Sequence, residues 1–260
     1  MNVERSHASG AGASAGSSQW AVQRAAARAA AVRSRCAPRR ARFSGGTRAA
    51  AAAAQGASGG GAPLCLKEWA VTNAALGSGE QTVLLRKGGI KELRFTPEAR
   101  SFFLFPTSFH SDQQLLKPGA AARHAAAMAL EPKALDVIPL GQYAEVTGAW
   151  VTSDARVLQA LDPLHVWAEG FLDARLKWRQ QQPLTLLELR VYAVSPPLLL
   201  PTSEELFGCF SWVGLPGVAA ADIDAALARR APAMGDAEFA ERQELLRARL
   251  AGLDVQVLQL

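Results

Sequence analysis

The first residues that invite chemistry are two cations followed by two glycines, Arg86-Lys87-Gly88-Gly89. Cationic side chains beside pliable backbone N–H groups suit an anion such as a phosphate. The spacing is not that of a GxxxxGK[ST] phosphate loop, and the plainer reading is a charged turn at the end of a strand. His110 closes FFLFPTSFH. Its imidazole titrates near neutrality and suits general acid/base work or ligand binding. Further on, Trp167, Arg175 and Arg190, with Trp178, Tyr192 and Trp212, combine aromatic faces with guanidinium groups. Such a set stacks bases and follows phosphates. Helical periodicity puts Trp167 and Trp178 on one face, with Arg175 next to Trp178. The same pattern describes ordinary core packing, with arginine heads reaching out to its edge.

Other chemistries lack their parts. His110 and His165 would need a third ligand to hold a metal, and the chain offers only generic acids, so no metal and no cofactor is expected. A restriction-type nuclease sets an acid ahead of (Asp/Glu)-x-Lys to hold Mg²⁺. Here Asp173 precedes Glu188-Leu189-Arg190, and an arginine stays charged and handles protons poorly. Ser211 lies outside any GxSxG. Cys36, Cys65 and Cys209 form neither a CxxC nor a disulfide framework, and Cys209 reads as a small buried apolar residue. A reducing compartment follows.

The elements that must position these groups are short apolar runs between glycines and prolines. Strands are expected over Thr82–Leu85, Phe102–Phe105, Tyr143–Val151, Leu184–Val194 and Cys209–Val213, with Pro196-Pro197 closing the fourth. Lys91 to Phe95 could add a short strand that pairs back across the Gly-Gly turn. Arg86, Lys87 and His110 would then share one rim at the strand ends. Leu64–Leu76 has helix-like spacing, although Trp69, Val71 and Thr72 favour sheet. Helices are expected over Gln113–Leu130, stopped at Pro132, over Ala155–Leu161 with Asp154 as its N-cap, and over Leu164–Trp178. Ala219–Arg230 and Asp236–Leu250 read as amphipathic helices, the second with Leu245, Leu246 and Leu250 as its seam. These are either packed on the sheet or a partner-binding hairpin. The class is α+β: a central mixed or mainly antiparallel sheet, helices on one side, and two appended C-terminal helices.

Composition divides the chain. Residues 1–62 hold nine arginines and one acid, which leaves 19 basic and 22 acidic side chains in residues 63–260. The net charge of +5 therefore belongs to the leader, and global basicity is no argument for a polyanion partner. An Arg-, Ser- and Ala-rich, acid-poor leader without a sustained apolar stretch reads as an organelle transit peptide, for the chloroplast first and the mitochondrion second. The expected organisation is the leader, one α+β domain over 63–216, and a helical appendage over 217–260. No membrane span is expected, since the body's apolar runs are too short.

Five blocks in order, LCLKEWAVTNAALGSGEQTVLLRKGGI, FFLFPTSFH with LLKP just after it, HVWAEGFLDARLKW, PLTLLELRVYAV and GCFSWVGL, resemble the domain-of-unknown-function 1802 family over roughly residues 64–215. The family has no assigned activity. The resemblance implies nucleic-acid work, through bacterial relatives that carry restriction-nuclease-like domains. Glu188 departs from the family's apolar strand, and the segment after Gly89 lacks the family's extra acids. Three functions are expected in order. The first is a non-catalytic module that binds a short nucleic acid or nucleotide through Arg86, Lys87, His110, Trp167, Arg175 and Arg190. The second is an enzyme on a small phosphorylated or nucleotide substrate with His110 as acid/base. The third is an interaction protein acting through its C-terminal helices.

Overall fold

The structure is a computed structural model that describes residues 63–88, 94–109, 113–171 and 182–260. Contacts divide the chain into two units, Met1–Ser58 and Gly59–Leu260, and all described residues belong to the second. Eight strands among them form one sheet: β1 Cys65–Trp69, β2 Val83–Arg86, β3 Ser101–Thr107, β4 Val137–Thr152, β5 Leu184–Pro201, β6 Trp212–Val213, β7 Arg230–Pro232 and β8 Val255–Val257. Their order is β2-β5-β4-β3-β1-β6, with β7 added beside β5 and β8 beside β4. Only β1 and β3 pair in parallel; the other ladders are antiparallel. The α+β class with a mixed, mainly antiparallel sheet is what the apolar runs led us to expect.

The sheet is curled. β2 and β1 stand four places apart, so in a flat sheet they would be roughly 19 Å from one another. Yet Arg86 Nη1 lies 2.8 Å from Glu68 Oε2. Period-2 alternation puts Arg86 on the face of Leu84 and Glu68 on the face of Leu66. Leu66 and Leu84 belong to one buried cluster with Phe102, Leu104, Leu187 and Leu189. That face is therefore the concave one. The convex face carries two separate clusters, one around Val83, Leu85, Leu184 and Leu186, the other around Phe103, Phe105, Leu140 and Leu198.

The helices cover the convex face. They are α1 Ala70–Gly77, α2 Ala120–Arg123, α3 Ala125–Met128, α4 Arg156–Ala160, α5 Ala220–Ala228 and α6 Asp236–Leu250. α4 brings Val157 and Leu158, and α6 brings Leu246 and Leu250, to the first cluster. α5 brings Ile223 and Ala226 to the second. Each such leucine, fully buried, stabilises the fold by about 1.5–3 kcal/mol. The C-terminal helices are thus packed on the sheet, and the seam of α6 faces the core. No helix among the described residues is long and apolar enough to cross a membrane.

Several expected elements differ. Leu64–Leu76 is strand β1 and then helix α1, which matches the sheet-favouring Trp69 at the joint. Gln113–Leu130 breaks into a 3-10 turn and the two short helices α2 and α3, since Gly119 is left-handed and His124 leaves helical geometry. Pro132, expected as a stop, opens a 3-10 turn. Trp167 is not helical; it pairs with Leu116 in an isolated bridge. Cys209–Val213 is strand only at Trp212–Val213. β5 runs past Pro196-Pro197 because its ladder with β4 passes from Ala193↔Gln142 to Leu198↔Leu140, so neither proline must supply a ladder N–H. A second register shift, between Val146 and Gly148, makes Thr147 the extra residue of a bulge. Gly148 is required there, because a Cβ would lie 2.3 Å from the Trp150 ring.

Candidate functional site

The expected rim of cations does not assemble. Arg86 pairs with Thr185 in the β2–β5 register, and Arg190 lies an odd number of residues further along β5. Strand alternation therefore places the two arginines on opposite faces of the sheet. Each guanidinium is also engaged. Arg86 donates to Glu68 Oε2 at 2.8 Å, to the Lys67 carbonyl at 3.2 Å and to Ser211 Oγ at 3.0 Å, and lies 5.0 Å above the Phe95 ring. Arg190 donates to Asp236 Oδ1 at 2.6 Å and lies 4.6 Å above Phe239. Arg86 thus joins the sheet edge to β1, and Arg190 docks α6. Lys87 is buried. Trp167 is a core side chain, 3% exposed, stacked 4.0 Å from Phe171 and edge-to-face with Trp69 at 5.3 Å, with no face left for a base. His110 and Arg175, like Gly89, Lys91–Leu93, Asp173 and Trp178, lie outside the described residues.

The remaining candidates resolve into structural roles. His165 is buried, and its Nδ1 accepts the Trp167 N–H at 3.2 Å. Burial first, and the Lys117 ammonium second, push its pKa down to about 4, so the ring is neutral near pH 7. Glu188 is 1% exposed. Its carboxylate accepts from Thr147 Oγ1 at 2.7 Å, Gln243 Nε2 at 3.0 Å and Arg247 Nη1 at 3.3 Å, which ties the β4 bulge to α6. Among the described residues no three His, Cys, Asp or Glu side chains are grouped to hold an ion. Cys209 is exposed rather than buried, because the chain around it is a loop and not a strand; Cys65 is the buried thiol, its pKa pushed up to about 12 by desolvation.

A different set of groups does converge. At the far end of the β4–β5 ribbon, a 3-10 turn at Pro132–Ala134 and another at Glu204–Leu206 flank an open cleft of about 580 Å³, lined by Lys133, Thr202, Ser203, Glu204 and Phe207. That volume lies in the range of small-molecule sites. The Thr202 N–H donates to the Asp136 carbonyl at 3.0 Å, which holds the two walls together. Lys133 Nζ stands 5.5 Å from the Phe207 ring centre and makes no ion pair among the described residues. Phe207 meets Phe105 of the core edge-on at 6.1 Å. Ser203 Oγ donates to Glu205 Oε1 at 3.3 Å, and Thr202 Oγ1 is enclosed without a hydrogen-bond partner among the described residues. The Lys133 cation, the Phe207 face and the Ser203 hydroxyl can together receive a ring bearing an anionic group, while the Glu204 carboxylate can accept only from an N–H or O–H of the ligand.

Behind this cleft Lys67 reaches out of β1 and donates to the carbonyls of Leu206 and Gly208, each at 3.0 Å. Its Nζ also lies 4.2 Å from the centre of the Phe210 ring. Burial lowers the pKa of Lys67; Cys209 opposes that shift and Lys133 adds to it. Sequence reasoning passed over this group. The available signals were a lysine inside the apolar strand LCLKEW and two phenylalanines flanking Gly208-Cys209.

Comparisons with known proteins give one family and a distant structural likeness. The model of the family described as Domain of unknown function (DUF1802) matches residues 65–245. The ASCH protein of Zymomonas mobilis is similar at 11% identity and a TM-score of 0.36, over 65% of this chain and 96% of that one. Its tyrosine-to-phenylalanine variant gives 11% and 0.37 over 65% and 99%, and its serine-to-alanine variant 12% and 0.37 over 65% and 96%. Scores this low do not establish a common fold. Among curated proteins none matches. The family match spans well over half of the chain, which therefore belongs to the DUF1802 family.

Proposed function

We propose that this family member is a binding module for a nucleotide or a short single-stranded nucleic acid, seated in the cleft of Lys133, Thr202, Ser203, Glu204 and Phe207. The observation that carries the reading is the placement of an ammonium that makes no ion pair among the described residues beside an aromatic face and the Ser203 hydroxyl in one opening. Bases offer π-faces to such a ring, and phosphates offer charge to the lysine. Residues 63–260 hold 19 basic and 22 acidic side chains, so a long polyanion meets no basic stripe, whereas a short ligand needs only local charge. An organelle address, the chloroplast ahead of the mitochondrion, is part of the same proposal, and what supports it is the Arg-, Ser- and Ala-rich, acid-poor composition of the leader.

Fluorescence anisotropy of the full chain with labelled short RNA and DNA oligomers tests this. Salt-sensitive binding is expected, and Lys133→Ala should weaken it across sequences while lowering the slope of log affinity against log salt by about 1. Binding without salt dependence, or untouched by Lys133→Ala, would overturn the assignment. Lys133 is exposed, so the variant keeps its fold.

A further inference from the structure

We infer that Phe210 is a second stacking platform beside Phe207, so that the ligand is a single-stranded segment of two or more nucleotides rather than a mononucleotide; this rests on the cleft reading above. Phe210 is 44% exposed, unusual for a phenyl ring in a loop that a buried side chain holds in place. The Lys67 ammonium grips the carbonyls on both sides of Phe207 and lies under the Phe210 ring at 4.2 Å. One buried cation therefore positions both aromatic residues. Gly208 permits the arrangement. Its φ is +156°, and a Cβ there would lie 2.4 Å from the Phe210 ring. The Phe210 ring is folded back against the residue that follows Phe207, and consecutive Cα atoms are 3.8 Å apart, so the two ring centres lie within roughly 13 Å of each other. An aromatic ring whose outer face is open and whose position is fixed loses little freedom when a base stacks on it.

The full chain is titrated with adenosine monophosphate and with a four-nucleotide oligoadenylate, by competition against a labelled oligomer and by direct calorimetry. The wild type is expected to bind the tetramer more tightly than the monophosphate. Phe210→Leu should weaken the tetramer roughly 5- to 150-fold, the worth of one base–aromatic stack, and leave the monophosphate within twofold. If Phe210→Leu leaves the tetramer unchanged, or weakens both ligands equally, the second platform is refuted while the cleft stands. If the wild type binds neither ligand, the cleft reading falls and the platform with it.

Discussion

Replacing Arg86 by methionine separates the role the structure assigns to it from the role its sequence context suggested. The change leaves the Glu68 carboxylate, 8% exposed, without its cation; what remains to it is the N–H of Trp69 at 2.9 Å. Removing one partner of a buried pair costs about 3–5 kcal/mol. Arg86 itself is 14% exposed at the sheet margin, so the low end applies, about 3 kcal/mol. For a unit of this size that is a fall in Tm of roughly 6–12 °C. Urea denaturation followed by tryptophan fluorescence measures it directly. The double variant Arg86→Met/Glu68→Gln should recover at least about 1 kcal/mol, because the orphaned charge is gone. A loss below about 1 kcal/mol in Arg86→Met, together with weaker oligonucleotide binding, would refute the clasp and return Arg86 to the anion rim.

Two further outcomes follow from buried titratable groups. His165 has a folded pKa of about 4 against an unfolded 6.5, so in that window the unfolded chain binds a proton that the folded chain refuses. Its share of stability, about 3 kcal/mol, is present above pH 6.5 and is lost as pH falls toward 4. His165→Asn keeps an acceptor for the Trp167 N–H and should flatten that part of the acid limb in urea midpoints taken at pH 7 and pH 4.5; an unchanged limb contradicts the assignment. Glu188→Gln turns an acceptor of three bonds into a group that sets its NH₂ against donors, and should cost about 1–3 kcal/mol in chemical denaturation. Arg247→Ala should cost less, below about 1 kcal/mol, since that side chain is half-exposed. The opposite ranking would show that Arg247, and not the carboxylate, organises the junction.

What the chain determines by itself is what short-range periodicity encodes. Alternating apolar residues announce β4 and β5, and the seam of Leu246 and Leu250 announces α6; at α4 the cap position falls one residue later than expected, on Ala155, while the Asp154 carboxylate accepts the Arg156 N–H at 3.0 Å. The family blocks were equally legible, because local identity is enough to carry them. The site was not. Whether Arg86 and Arg190 meet depends on the parity of a pairing between strands a hundred residues apart, and one step of register exchanges the faces. The curl that brings Glu68 to Arg86 is a property of the whole sheet, and the partners of Lys67 lie 139 and 141 residues away. Side-chain type and spacing say which groups can act. Only the closing of the sheet decides which of them are consumed in holding it together and which are left facing a cleft.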